Sequence, residues 1–115
     1  MEKNPLIYLD DILFSITLIE EYITNVAQEE FLDSYDIQDK VLRRLEIIAE
    51  AAKKLPIEIR SNNPHVPWRS IIGLRNIIAH TYDEVNLEEV WSIVALHLPK
   101  TKIELEKIKL DISKG

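Results

Sequence analysis

The side chains best suited to chemistry cluster in one short segment of the chain. The segment reads Arg75-Asn76-Ile77-Ile78-Ala79-His80-Thr81-Tyr82. The arginine guanidinium is a permanent forked cation that suits phosphate oxygens, and the histidine imidazole titrates near neutral pH and can move a proton. At about 100° per residue on a helix, Asn76 and His80 are one turn apart on one face, so the amide could hold the imidazole in one tautomer.

The spacing of Arg75 and His80 sets a condition on any reaction that they share. The two residues are about 140° apart on an ideal helix. Either the helix distorts near His80, or the facing groups come from a second copy of the chain related by a two-fold axis. Tyr82 lies on the same face as Arg75 if the helix extends that far.

An arginine and a histidine acting together could cleave RNA without a metal ion. One group deprotonates the ribose 2′-hydroxyl, the resulting oxygen attacks the adjacent phosphorus, and the arginine stabilises the added negative charge. DNA lacks this hydroxyl and would not react by this route. The alternative is a purely structural role for these residues. The helix dipole then favours a histidine such as His80 at the C-terminal end of the helix. Arg75 would be merely solvated, and Tyr82 would be a half-buried aromatic that closes the helix.

Other classes of chemistry lack the residues that they need. With two glycines and no cysteine, the chain has no glycine-rich phosphate loop, no dinucleotide fingerprint, no thiolate zinc site and no cysteine nucleophile. His65, His80 and His97 lie 15 and 17 residues apart, so no two of them have the i, i+4 spacing of a helical metal site. No serine lies in a nucleophile-elbow context. We therefore expect no metal site and no cofactor.

The net charge of −6 hides a basic middle third. Residues 40–80 carry eight lysines and arginines against three glutamates, whereas residues 1–39 carry one lysine against ten acids. Such a region can be a solvated basic helix face. It can also be a local binding site for phosphates, which needs local rather than net positive charge.

Apolar residues recur in steps of three and four along four stretches, and this period predicts helices that must position the segment. The predicted helices run from Pro5 to about Gln28, from about Gln38 to Leu55, from Trp68 to His80 or Thr81, and from Asn86 through Ile112. The predicted core stripes of the first two are Leu9, Ile12, Leu13, Ile16, Ile19, Ile23 and Val26, then Val41, Leu45, Ile48, Ala49, Ala52 and Leu55. The fold class is therefore all-α, an antiparallel bundle of four or five helices.

The breaks between these helices are also predicted. Residues 29–37 are expected to form a connection, with Asp36 or Asp39 as the N-cap of the second helix. Residues 56–67 hold three prolines and are expected to form a loop with one helical turn. Gly73 lies inside the third helix, which predicts close approach of another backbone, and Pro99 divides or kinks the last one.

Length and composition indicate a single domain over residues 1–115, with 46% hydrophobic and 30% charged residues. The first residues lack the basic start and apolar run of a targeting signal, and no stretch approaches a membrane span. A cytoplasmic location is the expectation. Trp68 and Trp91 are expected in the core rather than as platforms for base stacking.

Several segments together resemble the HepT-like ribonuclease toxins, a branch of the HEPN superfamily. The segment Arg75-Asn76 followed by His80-Thr81-Tyr82 resembles the R-x4-H-x-Y motif of that family. The similarity extends to four further stretches, at residues 8–13, 44–51, 67–76 and 83–91, and to the region around Pro99. The combined pattern covers nearly the whole chain and is specific, whereas the Arg-to-His spacing alone is not.

The resemblance implies a homodimer in which two motifs face each other across a cleft. It implies metal-independent endoribonuclease activity in which Arg75 and His80 are catalytic and Asn76 supports them. It also implies a type VII-like toxin–antitoxin pair, whose antitoxin is an MntA-type nucleotidyltransferase that transfers AMP from ATP to Tyr82. AMP at Tyr82 would place bulk and negative charge beside Arg75 and His80 and block RNA entry.

A second function remains open from the sequence. The chain could be a non-catalytic helical subunit that binds or presents a nucleotide to a nucleotidyltransferase. The acidic N-terminal third favours this alternative, since RNA-binding proteins are usually more basic. The complete set Arg75, Asn76, His80 and Tyr82 favours the ribonuclease, because a scaffold does not need it.

Overall fold

The computed structural model describes residues 4–79 and 86–114, and these two ranges are almost entirely helical with no strand. The all-α prediction is therefore confirmed. The α-helices are α1 (Pro5–Tyr22), α2 (Gln28–Asp33), α3 (Tyr35–Lys54), α4 (Ile57–Asn62), α5 (Trp68–Ile72), α6 (Leu74–Ala79), α7 (Leu87–Ser92) and α8 (Leu98–Lys114), with a π-helical segment at Ile93–His97. No helix within the described ranges is long and apolar enough to cross a membrane.

The core forms around the contact between α1 and α3. Helix α8 packs on α1, while α5 and α6 pack on α3. The stripe predicted for the second helix is buried throughout, and that of the first is buried at Leu9, Ile12, Ile16 and Ile19. These stripes bury apolar surface on two facing helices, which is the main source of stability in a bundle of this size.

Residues 22–38 differ from the prediction. The first helix ends at Tyr22, and Asn25 then takes a left-handed conformation with φ 61°, which Asn tolerates better than most residues. The predicted connection is wrong, because α2 and the start of α3 occupy it. Phe31 of α2 is fully buried and anchors this short helix against Trp91, with ring centroids 5.4 Å apart.

The N-cap of α3 is Ser34, not Asp36 or Asp39 as predicted. The Ser34 hydroxyl accepts a hydrogen bond from the backbone N–H of Ile37 at 3.2 Å. The buried Gln38 amide donates to the carbonyl oxygens of Phe31 and Leu32, at 2.9 and 3.0 Å, and so ties the end of α2 to α3. These bonds satisfy carbonyls that a short helix leaves free at its C-terminus.

Ser34→Ala is expected to lower the free energy of unfolding by about 1 kcal/mol, because it removes the side-chain acceptor at the start of α3. Chemical denaturation measures this change. Ser61→Ala is the matched control, since Ser61 is exposed in α4 and its side chain has no described hydrogen bond; its effect should stay within about 0.5 kcal/mol. Equal effects of the two substitutions would contradict the capping role of Ser34.

The last helical stretch is continuous from Leu87 to Lys114 and does not divide at Pro99. The backbone N–H of Leu98 donates to the carbonyl oxygen of Ile93, five residues back, within the π-helical segment. In regular α-geometry the proline ring would clash with the carbonyl four residues earlier, so the wider π turn accommodates Pro99. Asn86 occupies the N-cap position of α7, where its side chain makes no capping hydrogen bond.

Candidate functional site

The third predicted helix is divided at Gly73 into α5 and α6. Gly73 has φ −69° and ψ −8°, and the backbone N–H of Asn76 donates to its carbonyl oxygen at 3.0 Å, three residues back. A Cβ at Gly73 would lie 3.0 Å from the carbonyl oxygen of Arg69 and 3.5 Å from that of Ser70. The close approach therefore comes from the preceding turn of the same stretch, not from another helix as predicted.

The buried faces of α5 and α6 fix both helices against α3. Trp68, Ile71 and Leu74 are buried, which leaves the intervening and following positions at the surface. Arg75 and Asn76 are both exposed at the start of α6. The sequence-predicted catalytic arginine and its supporting asparagine thus lie side by side on an anchored helix.

Arg75 and Asn76 line an open cleft with a volume of about 710 Å³. The cleft lies where α3, α4, α5 and α6 meet, and its walls come from all four helices. The lining residues are Lys53, Arg60, Trp68, Arg69, Ile72, Gly73, Arg75, Asn76 and Ala79.

Among the residues that the structure describes, four cations and no acidic side chain line this cleft. Lys53 comes from the end of α3, Arg60 from α4, Arg69 from α5 and Arg75 from α6. Within the described part of the chain, none of the four forms an ion pair with a carboxylate. A concave surface lined by one sign of charge concentrates the electrostatic field, so this cleft attracts anions even though the chain is acidic overall.

Trp68 closes the inner side of the cleft and is part of the core, as predicted. Its side chain is buried, and its indole N–H donates to the carbonyl oxygen of Asn63 at 3.0 Å. The Asn63 amide in turn donates to the carbonyl oxygen of Ile59 at 2.8 Å. These bonds hold α4 and α5 together beside the cleft. Trp91 is also a packing residue, in contact with Phe31.

His80 and Tyr82 lie outside the described residues, as does the predicted pairing of Asn76 with His80. Helix α6 is described to Ala79, which itself lines the cleft. The catalytic role of His80 and the modification of Tyr82 therefore stay predictions.

Sequence reasoning identified Arg75 and Asn76 but missed the other cleft cations individually. The basic middle third was the available signal, yet it did not separate the cations that gather from those that do not. Lys40 and Arg43 belong to the same region, but they pair with Asp36 and Glu46 on α3 itself. The distinction depends on how α4 and α5 pack against the end of α3.

The fold and the cleft together define an all-α protein with a cationic surface that presents an arginine and an asparagine. Residues 12–108 match the family described as ribonuclease HepT-like. The chain therefore belongs to the HepT-like ribonuclease family, and the predicted resemblance is confirmed.

Similar proteins agree with this membership. A "Gamma-glutamylcyclotransferase and putative RNase" of Methanocaldococcus jannaschii is 42% identical over 115 residues, covering 100% of this chain and 52% of that protein. The chain thus spans about half the length of this relative. A "Probable ribonuclease HepT" of Thermococcus cleftensis is 35% identical over 109 residues, covering 95% of this chain and 99% of that protein. No solved structure matches the chain.

Proposed function

We propose that the protein is a metal-independent endoribonuclease whose catalytic groups are Arg75 and His80, supported by Asn76. The observation that carries the proposal is the exposure of Arg75 and Asn76 in a cleft whose described lining holds four cations and no acid. Membership of the HepT-like ribonuclease family supports the same reaction class. RNA is the substrate because the backbone phosphates fit the cleft charge and the 2′-hydroxyl supplies an internal nucleophile.

In the proposed reaction His80 accepts the proton of a ribose 2′-hydroxyl. The 2′-oxygen forms a bond to the adjacent phosphorus, and the bond from phosphorus to the 5′-oxygen of the next nucleotide breaks. The leaving oxygen takes a proton, which gives a 2′,3′-cyclic phosphate and a 5′-hydroxyl. Arg75 stabilises the negative charge that builds on the phosphoryl oxygens, and its forked guanidinium can contact two of them at once.

A homodimer is part of the proposal, because Arg75 and His80 diverge by about 140° on an ideal helix. A two-fold axis near α6 would bring the arginine of one protomer towards the histidine of the other. Dimerisation would also cover more surface than a domain of 115 residues buries alone.

We further propose that the protein is the toxin of a type VII-like toxin–antitoxin pair. Its antitoxin is an MntA-type nucleotidyltransferase that uses ATP to modify Tyr82. The Tyr82 hydroxyl oxygen attacks the α-phosphorus of ATP, the bond to the β-phosphate bridging oxygen breaks, pyrophosphate leaves, and the phenol proton passes to a base or to water. Both partners would act in the cytoplasm, where ATP and RNA are present.

The second candidate is a non-catalytic helical subunit that presents a nucleotide to a nucleotidyltransferase. An acidic chain with a pI near 5.0 favours it, because most RNA-binding surfaces belong to basic proteins. The two candidates differ in one observable, the cleavage of RNA by the purified protein alone.

RNA incubated with the protein in EDTA is expected to be cleaved, with 2′,3′-cyclic phosphate ends. The control is the same oligonucleotide with 2′-deoxyribose at the cleaved position, which should stay intact there because the nucleophile is missing. Intact-mass measurement must first show that the protein carries no AMP. Unmodified protein that leaves RNA intact would contradict the ribonuclease and favour the scaffold, and cleavage that requires a metal ion would contradict the proposed mechanism.

A further inference from the structure

None of the four cleft cations forms an ion pair with a described carboxylate, and they make up half of the eight described lysines and arginines without one. Elsewhere, five of the described lysines and arginines contact carboxylates, including Lys102 with Glu20 at 2.7 Å and Lys109 with Asp10 at 2.8 Å. Those two pairs connect α8 to α1. The cleft is distinct because four unpaired cations line one concave surface whose described residues include no acid, in a chain of net charge −6.

Arg60 gives a second, independent indication. Its Nε atom is buried and donates no hydrogen bond to any described group. A buried donor without an acceptor lowers the free energy of unfolding, and repulsion from the other cations of the cleft lowers it further. Folding alone does not explain why these charges gather, whereas a bound polyanion would neutralise them.

We propose that Lys53, Arg60 and Arg69 form a phosphate-binding subsite that holds the RNA strand next to the linkage cleaved at Arg75. This inference rests on the proposed ribonuclease function and adds residues to it. The three cations come from α3, α4 and α5 and share one cleft with Arg75, so successive phosphates of one strand can contact them in turn. A positively charged groove of this kind follows the nucleic-acid backbone.

The subsite reads the backbone rather than the bases. Trp68 is the one aromatic among the described residues that line the cleft, and it is buried with its indole N–H donating to the carbonyl oxygen of Asn63. It therefore offers no platform on which a base could stack, and arginine and lysine contacts to phosphates carry no sequence information. Binding should depend strongly on salt and weakly on sequence.

The test measures binding of a fully 2′-O-methylated RNA oligonucleotide, which cannot be cleaved, by fluorescence anisotropy at several salt concentrations. Lys53→Ala and Arg69→Ala should each weaken binding about fivefold to tenfold and reduce the slope of log affinity against log salt by about 0.7, the value for one phosphate contact on a single strand. Both side chains are exposed, so truncation should leave the fold intact. Arg60 is half-buried and is left unchanged.

Lys54→Ala is the matched control. Lys54 is the next residue on α3, is exposed and does not line the cleft. Its substitution by alanine removes the same charge as Lys53→Ala. It should keep the affinity within about twofold and the salt slope unchanged. Equal behaviour of the Lys53, Arg69 and Lys54 variants would overturn the subsite. The subsite would also be overturned if Lys53→Ala and Arg69→Ala bind the oligonucleotide normally but lose binding to the nucleotidyltransferase, because the cleft would then be a protein interface.

These measurements distinguish a failure of the subsite from a failure of the ribonuclease proposal. Binding that depends on Lys53 and Arg69, in a protein that does not cleave the unmodified RNA, would support the subsite and contradict the nuclease. Cleavage with unchanged kcat/KM in the Lys53→Ala and Arg69→Ala variants would support the nuclease and contradict the subsite.

Discussion

Arg75→Ala and His80→Ala are each expected to slow RNA cleavage about 10²- to 10³-fold or more. Loss of the guanidinium removes the charge that stabilises the pentavalent phosphorane-like transition state, an effect of that size for electrostatic catalysis. Loss of the imidazole removes a positioned proton acceptor, which contributes about 10²- to 10⁴-fold. Single-turnover cleavage of a labelled RNA in EDTA measures both losses.

The double variant Arg75→Ala/His80→Ala distinguishes a joint mechanism from two separate roles. Groups that act as one unit are strongly non-additive, so the double variant should be hardly slower than the worse single variant. The cleavage rate of Arg75→Lys should fall between those of Arg75→Ala and the wild-type protein, because lysine keeps the charge but loses the forked geometry. Full activity in either alanine variant, with unchanged thermal unfolding, would contradict the assignment.

Mixed dimers test how Arg75 and His80 meet. In a dimer of one Arg75→Ala protomer and one His80→Ala protomer, a site built across the two-fold axis regains one intact Arg–His pair. A site built within each protomer regains none. We expect the mixture to recover part of the activity that each variant lacks alone, because the two residues diverge by about 140° on an ideal helix.

The periodic helices were predictable because their buried apolar residues recur in the sequence at helical spacing. Helix α3 carries a stripe in steps of three and four, and all of the predicted stripe from Val41 to Leu55 is buried. Helix α2 has no such repeat. Its sequence, Gln28–Asp33, is polar apart from Phe31 and Leu32, and it is held in place by the burial of Phe31 and by the Gln38 side chain. Contacts distant in sequence override local propensity there.

The site was predictable in part for the same reason. Arg75 and Asn76 are adjacent on one helix, so a local sequence motif is enough to identify them. Lys53, Arg60 and Arg69 come from three different helices, and the loops after Leu55 and Asn62 set how they meet. Charge counting predicted a basic region, but no spacing rule joins residues across such breaks.

AMP attached to Tyr82 is expected to abolish RNA cleavage, and its removal by a phosphodiesterase should restore it. The AMP phosphodiester adds a negative charge and a bulky nucleoside close in sequence to Arg75 and His80, and this charge competes with the RNA phosphate for the same cations. The described lining of the cleft is cationic and includes no acid, so it would attract the AMP phosphate as it would attract RNA.

Tyr82→Phe separates this control from catalysis. The variant should cleave RNA at about the wild-type rate, since the tyrosine hydroxyl has no role in the proposed reaction. It should gain no AMP when it is incubated with the nucleotidyltransferase and ATP. Tyr35→Phe is the control, because Tyr35 is the most exposed tyrosine among the described residues, at 82%, and lies at the start of α3. Tyr35→Phe should gain AMP and lose activity in the same way as the wild-type protein. Intact mass reports each addition of AMP. If Tyr82→Phe still gains AMP and loses activity, the modified group is another residue, and the charge that Arg75 meets must come from elsewhere.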